Sequence, residues 1–214
     1  MFILLPKRDY PKMVKISTIL AGTLAMGIAG SISSAHAGSL ELMPAQRATT
    51  LDLKVGGNLP LDTHFFVRSK TTVDYSNQVS PFLSIDLSYK VVGNVDAVQE
   101  TQATPATGVI PRAGIQYAQD IGPFSLYGLL TESVQSNPNT ELTVMANWST
   151  PITEKVAFYT GVEEVTNVGP SHNFSLQRIR SGFKIGNYTL GAAADVTETV
   201  EASYNIGGFG RINF

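Results

Sequence analysis

Few residues in this chain have the types needed for catalysis or metal binding. The 214 residues include three histidines and no cysteine, so disulfide bonds and thiolate metal sites are excluded. Ser171-His172, with Glu163 and Glu164 shortly before it, has the residue types of a nucleophile, base and carboxylate set. Ser171 and His172 follow Pro170 in a predicted loop, however, where a solvated histidine is the simpler interpretation. No glycine-rich phosphate loop, metal-spaced histidine cluster or G-x-S-x-G sequence is present, so we predict no catalytic residue and no cofactor.

Most charged residues instead occupy alternate positions of short segments rich in β-branched and aromatic residues. Residues 83–91 show this best, because apolar side chains alternate with Ser84, Asp86, Ser88 and Lys90. A strand with this period of two has an apolar face and a polar face. Together the polar faces carry nine basic and five acidic residues: Lys54, Arg68, Lys70, Lys90, Arg112, Arg178, Arg180, Lys184 and Arg211, with Asp52, Asp74, Asp86, Glu163 and Asp195.

Ten such segments lie between residues 49 and 214, joined by turn sequences with no helical period between them. Gly186-Asn187, for example, is a two-residue turn of the kind preferred in β-hairpins. This spacing predicts an all-β fold, an antiparallel up-and-down barrel of ten strands, or of eight if the first hairpin does not join it. The polar stretch of residues 93–107 is predicted to be a long loop.

The first 37 residues have the features of a secretory signal peptide. Four basic residues precede an apolar stretch over residues 16–32, and Ala35-His36-Ala37 is a small-x-small cleavage site. Met13 is an alternative start, giving a signal peptide of more usual length. A retained anchor is the alternative, but the apolar stretch is marginal against the roughly 20 residues of a spanning helix. We predict export with cleavage after Ala37, a periplasmic lead-in over residues 38–48 and a barrel domain over residues 49–214.

The last strand, residues 202–214, ends the chain on an aromatic residue. Its even-numbered positions are apolar or small, and its odd-numbered positions are polar apart from Phe209. The segment resembles the closing strand of Gram-negative outer-membrane β-barrels, whose assembly signal is an alternating strand with a terminal phenylalanine. The resemblance is to the class, and it implies an outer-membrane location and recognition by the barrel-assembly machinery. It assigns the assembly signal to Tyr204, Ile206, Ile212 and Phe214.

Two observations indicate that the apolar faces meet lipid. The turns predicted on the side of the termini are short (residues 76–80, 120–123, 150–154 and 186–187), whereas the longest loop falls on the other side, as in outer-membrane barrels. Aromatic residues on the apolar faces are predicted to lie beside the short turns, where they would settle at a membrane interface. We therefore predict a transmembrane β-barrel rather than a secreted β-sandwich or lipocalin-like carrier. The predicted interface aromatics are Tyr75, Tyr117, Phe124, Trp148, Tyr188 and Phe214.

In this fold the polar faces line a lumen narrow enough for side chains to fill. A packed ion-pair network is predicted there, which favours a structural or surface-interaction role. The alternative is a narrow porin-like channel for small anionic solutes, with Arg178, Arg180 and Lys184 as a basic ladder. A lipid-modifying enzyme is a third hypothesis, because Ser171-His172 resembles the Ser/His/acid sets of outer-membrane lipid A deacylases and phospholipases; the catalytic residues of those enzymes, however, project from strands. Outer-membrane lipid and lipopolysaccharide are the predicted partners, nucleic acid is not, and the oligomeric state is left open.

Eight carboxylates are predicted in or next to the outer loops, with no lysine or arginine among them. They are Asp62, Asp96, Glu100, Glu132, Glu141, Glu164, Glu198 and Glu201. The predicted consequence is a negative rim above a net-positive lumen. Solvated loops are the simple interpretation, and a weak Ca²⁺ or Mg²⁺ site assembled from several loops, near Asp96, Glu100, Glu198 and Glu201, is the alternative.

Overall fold

The computed structural model describes residues 36–170, 173–199 and 201–214. Over these residues, twelve antiparallel strands form one closed barrel in which each strand pairs with its neighbours in the chain and β1 pairs with β12. The predicted signal peptide before His36 and the Ser171-His172 pair lie outside the described residues. The strands are β1 (His36–Pro44), β2 (Ala48–Leu59), β3 (Thr63–Asp74), β4 (Val79–Val92), β5 (Val95–Thr104), β6 (Gly108–Ile121), β7 (Phe124–Ser133), β8 (Thr140–Pro151), β9 (Val156–Val168), β10 (Phe174–Ile185), β11 (Tyr188–Glu198) and β12 (Ala202–Asn213).

The predicted counts of ten and eight strands are wrong, because two segments predicted to be irregular are strands. Strand β1 includes residues 38–44 of the segment predicted as a periplasmic lead-in. The predicted loop of residues 93–107 is a tight turn followed by β5. The outward positions of β5 are small or polar rather than apolar, namely Ala97, Gln99, Thr101 and Ala103. Its sequence therefore lacks the alternation that marks the other strands.

The first and last described residues, His36 and Phe214, lie at the same end of the barrel, which we call the terminal end; the opposite one is the loop end. The backbone of Phe214 exchanges hydrogen bonds with Gly38, at 3.0 and 2.8 Å. The turns at the terminal end are residues 60–62, 93–94, 122–123, 152–155 and 186–187, and those at the loop end are 45–47, 75–78, 105–107, 134–139, 169–173 and 199–201. The longer connections thus lie at the loop end. The turn after β3, predicted for the terminal side, lies at the loop end together with Tyr75, whose hydroxyl donates to the Ala45 carbonyl.

Charged side chains are among the most buried groups in the barrel, and large apolar side chains are among the most exposed. Arg112 and Asp52 are 1% and 2% exposed, whereas Ile115, Ile179 and Leu190 are exposed on the outer surface. A soluble domain shows the reverse distribution. An apolar exterior around a polar interior is the arrangement of a barrel that sits in lipid. Within the described residues no helix is long and apolar enough to span a bilayer.

Aromatic side chains form a row on the outer surface at the terminal end. Trp148 lies between Phe124 and Phe158, with ring centroids 6.4 and 5.8 Å away, and Phe158 contacts Phe183 at 6.0 Å. Of the predicted interface aromatics, Tyr117, Phe124, Trp148, Tyr188 and Phe214 lie toward this end. Edge-to-face and stacked contacts of this kind hold the strand ends together where the chain turns.

The barrel closes between β1 and β12 through a short ladder. Only four residue pairs form it, from Ser39 with Asn213 to Leu42 with Gly210, compared with nine between β1 and β2. Beyond Pro44, which has no backbone N–H to donate, a single bridge joins Ala45 to Gly207. The side chain of Asn205 completes the seam. Its Oδ1 accepts from the backbone nitrogens of Arg47 (2.8 Å) and Ala48 (3.2 Å), and its Nδ2 donates to the Ala48 carbonyl (3.2 Å).

Candidate functional site: a charged lumen

A layer of paired charges fills the barrel interior toward the terminal end, and we call it the ion-pair layer. It contains four carboxylates and five cationic side chains: Glu41, Asp52, Glu163 and Asp195 with Lys54, Arg68, Arg178, Arg180 and Arg211. Each of these residues occupies an inward position of its strand. The strand register brings several together directly, since Glu163 lies opposite Arg178 and Arg178 lies opposite Asp195.

Arg68 bridges the lumen from β3 to β9. Its Nη1 donates to Glu163 Oε1 at 2.5 Å, and its Nε and Nη2 donate to the two carboxylate oxygens of Asp52 at 3.0 and 2.7 Å. β3 and β9 are six strands apart in the closed order of twelve, so they form opposite walls. A guanidinium held by two carboxylates, one of them in a fork geometry, is among the strongest side-chain contacts. The bridge therefore crosses the path along the barrel axis.

Arg178 and Arg180 extend the layer around the wall of the barrel. Arg178 Nη1 donates to Asp52 (2.7 Å) and to Glu163 (3.1 Å). Arg180 donates from Nε to Glu41 (2.9 Å) and from Nη1 to Asp195 (2.7 Å). Because the two arginines are two residues apart on one strand, both side chains point inward. Nε of Arg178 and Nη2 of Arg180 are buried without a hydrogen-bond partner.

Arg211 joins the last strand to the same layer. It donates from Nε and Nη2 to Glu41 Oε2 at 3.0 and 2.5 Å, and from Nη1 to the hydroxyl of Tyr159 at 2.9 Å. Glu41 therefore receives hydrogen bonds from Arg178, Arg180 and Arg211. Buried ions are costly to desolvate, and truncating one partner of such a pair costs about 3–5 kcal/mol. The layer is held together by shared carboxylates rather than by separate pairs.

Two cavities lie on either side of this layer. The loop-end cavity has a volume of about 850 Å³ and reaches the mouth near Arg47. The terminal-end cavity has a volume of about 230 Å³ and is lined by Tyr159 and Arg211, among others. Their linings share Lys54, Phe66, Met145 and Glu163. The two cavities thus meet at the level where the Arg68 bridge crosses.

A second polar group lines the loop-end cavity on β4, β5 and β8. We call the carboxylates of Asp86, Glu100 and Glu141 the acidic wall; all three are buried. Gln102 Nε2 donates to Glu100 (2.9 Å) and to Glu141 (2.6 Å). Arg112 approaches Glu100 at 3.6 Å. Amide and hydroxyl donors, rather than a dense set of cations, hold this wall.

The predicted lumen charges lie in four different places. Arg68, Glu163, Arg178, Arg180, Asp195 and Arg211 belong to the ion-pair layer, whereas Asp86 and Arg112 belong to the region of the acidic wall. Lys70 lines the loop-end cavity with its ammonium 5.9 Å from the Phe82 ring centre. Lys90 and Lys184 are exposed toward the terminal end and form no ion pair with another described residue. The basic ladder of Arg178, Arg180 and Lys184 is thus limited to its two arginines.

Glu41 is a member of the layer that the sequence interpretation missed, since it lies in the segment predicted as a lead-in. The alternation Leu40-Glu41-Leu42, with both leucines outward and exposed, is the signal that identifies this strand. Gln102 and Tyr159 were missed as well. Neutral polar residues carry no pattern that separates an inward-facing donor from a solvated one.

The predicted acidic rim is wrong for four of its eight residues. Asp62 lies in a terminal-end turn, Asp96 is on β5 near that end, and Glu100 and Glu141 are buried inside the barrel. Glu132, Glu164, Glu198 and Glu201 lie toward the loop end, and a cation, Arg47, lies there too, over the Tyr204 ring at 4.6 Å. Across residues 36–170, 173–199 and 201–214, no three acidic or histidine side chains are grouped so as to hold a metal ion.

Comparison with known proteins identifies the fold. No protein-family model and no curated protein sequence matches the chain. Among solved structures, the KdgM porin is similar over 83% of this chain and 99% of its own, with 12% identity and a TM-score of 0.51, and the KdgM porin in complex with disordered oligogalacturonate gives the same values. The NanC porin is 8% identical over 84% of this chain and 98% of its own, with a TM-score of 0.49. The resemblance to small outer-membrane β-barrels is confirmed at the level of the fold.

Proposed function

We propose that this chain is an outer-membrane β-barrel whose lumen is closed by the ion-pair layer and whose role is structural or in surface interactions. The contact between Arg68 and Glu163 carries this proposal, because it joins opposite walls of the barrel. An apolar outer surface with aromatic side chains at the terminal end supports insertion in a membrane. Outer-membrane lipid, lipopolysaccharide and the barrel-assembly machinery are the proposed partners. We propose no catalytic role for any of the described residues.

The orientation that we propose places the terminal end in the periplasm and the loop end outside the cell. The longer connections lie at the loop end, as the extracellular loops of outer-membrane barrels do. Cleavage after Ala37 would leave Gly38 as the first residue, and the Gly38 nitrogen is at the seam, 2.8 Å from the Phe214 carbonyl oxygen. Cell fractionation tests the location in the outer membrane, and amino-terminal sequencing tests the cleavage site. Recovery of the protein as a soluble periplasmic species would contradict the proposal.

A narrow channel is the second candidate, and the two cavities favour it. They meet at Lys54, Phe66, Met145 and Glu163, so movement of a few side chains would join them. The fold is also that of the KdgM porin, one of whose solved structures contains disordered oligogalacturonate. The ion-pair layer has one more cation than carboxylate, which favours anions in such a path.

Conductance in planar lipid bilayers distinguishes the two candidates. The closed barrel predicts no steady conductance from the wild type and defined steps from the double variant Arg68→Ala/Glu163→Ala, which removes both halves of the bridge. A channel predicts regular anion-selective steps from the wild type. Arg180→Ala should change the selectivity of those steps if Arg180 lies on the path. Heat-modifiable mobility on an unheated gel confirms that each variant is folded.

A further inference from the structure

The acidic wall carries more negative charge than its neighbours neutralise. Among the described residues, Arg112 is the one cation that forms an ion pair with it, and Arg112 Nη2 donates instead to the backbone carbonyls of Thr131 and Asn139, each at 3.1 Å. Glu141 accepts hydrogen bonds from the neutral amides of Gln102 (2.6 Å) and Asn167 (3.0 Å). Neutral donors satisfy the oxygens of a carboxylate without cancelling its charge. Buried carboxylates ordinarily have cationic partners.

Asp86 has an unsatisfied oxygen at this wall. Its Oδ1 is buried and has no hydrogen-bond partner. The residue is 5% exposed and lines the loop-end cavity. In the strand register Asp86 lies opposite Glu100, so two carboxylates are adjacent. An unpaired buried acceptor beside a second carboxylate is costly, and a positively charged donor is the group that would satisfy both.

The lining of the same cavity also carries two cations that lack carboxylate partners among the described residues. Lys70 contacts Phe82 and Arg47 contacts Tyr204 through cation–π geometry, and neither forms an ion pair with a described residue. These two cations and the carboxylates of the acidic wall line one open volume without an ion pair between them. In the ion-pair layer, by contrast, the two signs meet directly.

We infer that the acidic wall binds the ammonium or guanidinium group of a small organic solute that enters the loop-end cavity. A cavity of about 850 Å³ has room for such a molecule and for water. No three carboxylates or imidazoles of the described residues form a group suited to a metal ion, so a larger organic cation with several N–H donors fits better. Lys70 and Arg47 in the same lining allow the same solute to carry a carboxylate. This inference rests on the proposed barrel and its cavity, but not on closure of the lumen.

Isothermal titration calorimetry with L-arginine and L-citrulline tests the inference. The two amino acids have nearly the same shape, and only L-arginine has a charged guanidinium group. We expect L-arginine to bind the full-length folded barrel in detergent and L-citrulline to give no measurable heat of binding. Asp86→Asn should weaken L-arginine binding about tenfold, because it removes one charged partner. Equal binding of the two amino acids, or unchanged binding by Asp86→Asn, would overturn the inference.

Controls separate this result from failure of the barrel itself. Glu132→Gln removes a carboxylate one residue from Thr131, but on the outer face of β7, and should bind L-arginine as the wild type does. If Asp86→Asn does not fold, Glu100→Gln takes its place with the same expected loss, and unaltered binding by that variant contradicts the inference. CaCl₂ is a further probe; measurable binding of Ca²⁺ with no binding of L-arginine would overturn the inference and assign the wall to a metal ion instead. Heat-modifiable mobility and bilayer conductance test the proposed function independently.

Discussion

Arg68 on β3 and Glu163 on β9 meet across the lumen, with 2.5 Å between Nη1 and Oε1. Glu163 also accepts a hydrogen bond from Arg178 at 3.1 Å and lies 3.5 Å from Lys54 Nζ. One carboxylate thus forms ion pairs with three cations from three strands. Because those strands belong to different parts of the wall, the contact fixes the cross-section of the barrel as well as closing it.

Glu163→Gln should destabilise the folded barrel strongly. The amide keeps the shape of the side chain but removes the charge that Arg68, Arg178 and Lys54 share, leaving buried cations undercompensated. We expect a loss of about 3–5 kcal/mol in the free energy of unfolding, measured by urea titration in lipid vesicles. Glu132→Gln on the outer face is the matched control and should unfold at the wild-type midpoint. Equal midpoints for the two variants would show that Glu163 contributes little to stability.

The sequence predicts the faces of the strands well, because alternation is a local property. Leu83, Ile85 and Leu87 are outward while Asp86 is inward, as the period of two requires. The pairing of side chains across the lumen is not a local property. Whether Arg68 meets Glu163 depends on how many strands separate them around the barrel, and no local pattern contains that number.

The two missed strands also explain which turns were placed on the wrong side. Omitting β1 reverses the direction of every following strand, so the turn after β3 was assigned to the wrong end. Omitting β5 reverses the direction a second time, which restores the correct end for the turns at residues 122–123, 152–155 and 186–187. The predicted rim fails at Asp62, Asp96 and Glu100 for the same reason, because Asp62 precedes β5 and the other two lie within it, whereas Glu141 is beside the loop end but faces inward.

Asn205→Ala should weaken the seam between β1 and β12. The side chain makes three hydrogen bonds to the backbone of Arg47 and Ala48, where the ladder has ended. Their loss leaves the partly buried N–H and C=O of Ala48 unsatisfied, at a cost of about 1–3 kcal/mol. Hydrogen exchange should be faster at the amides of Arg47 and Ala48. Asn213→Ala, which removes one exposed hydrogen bond to the Asn187 carbonyl, is the control; equal acceleration in both variants would argue against a specific role for Asn205.

Phe214→Ala should lower the amount of inserted protein more than it lowers folded stability. The side chain is 59% exposed, so it buries little area, and its backbone hydrogen bonds with Gly38 remain in the variant. Quantifying the heat-modifiable band in outer-membrane fractions measures insertion, and urea titration measures stability. Phe183→Ala removes another outward aromatic residue from inside a strand and should leave insertion nearly unchanged. If both variants insert equally well, the terminal phenylalanine is not the recognised feature.

Trp148 should report the depth of the terminal end in the bilayer. It is the only tryptophan in the chain, and it lies on the outer face in the aromatic row with Phe124 and Phe158. At a membrane interface its fluorescence should be quenched most by lipids brominated close to the headgroup. The double variant Trp148→Phe/Val144→Trp moves the fluorophore four residues along the same face toward the middle of the barrel, where lipids brominated deep in the acyl chain should quench best. Quenching of Trp148 by aqueous acrylamide, with no effect of either lipid, would place this row in water and contradict the proposed position in the membrane.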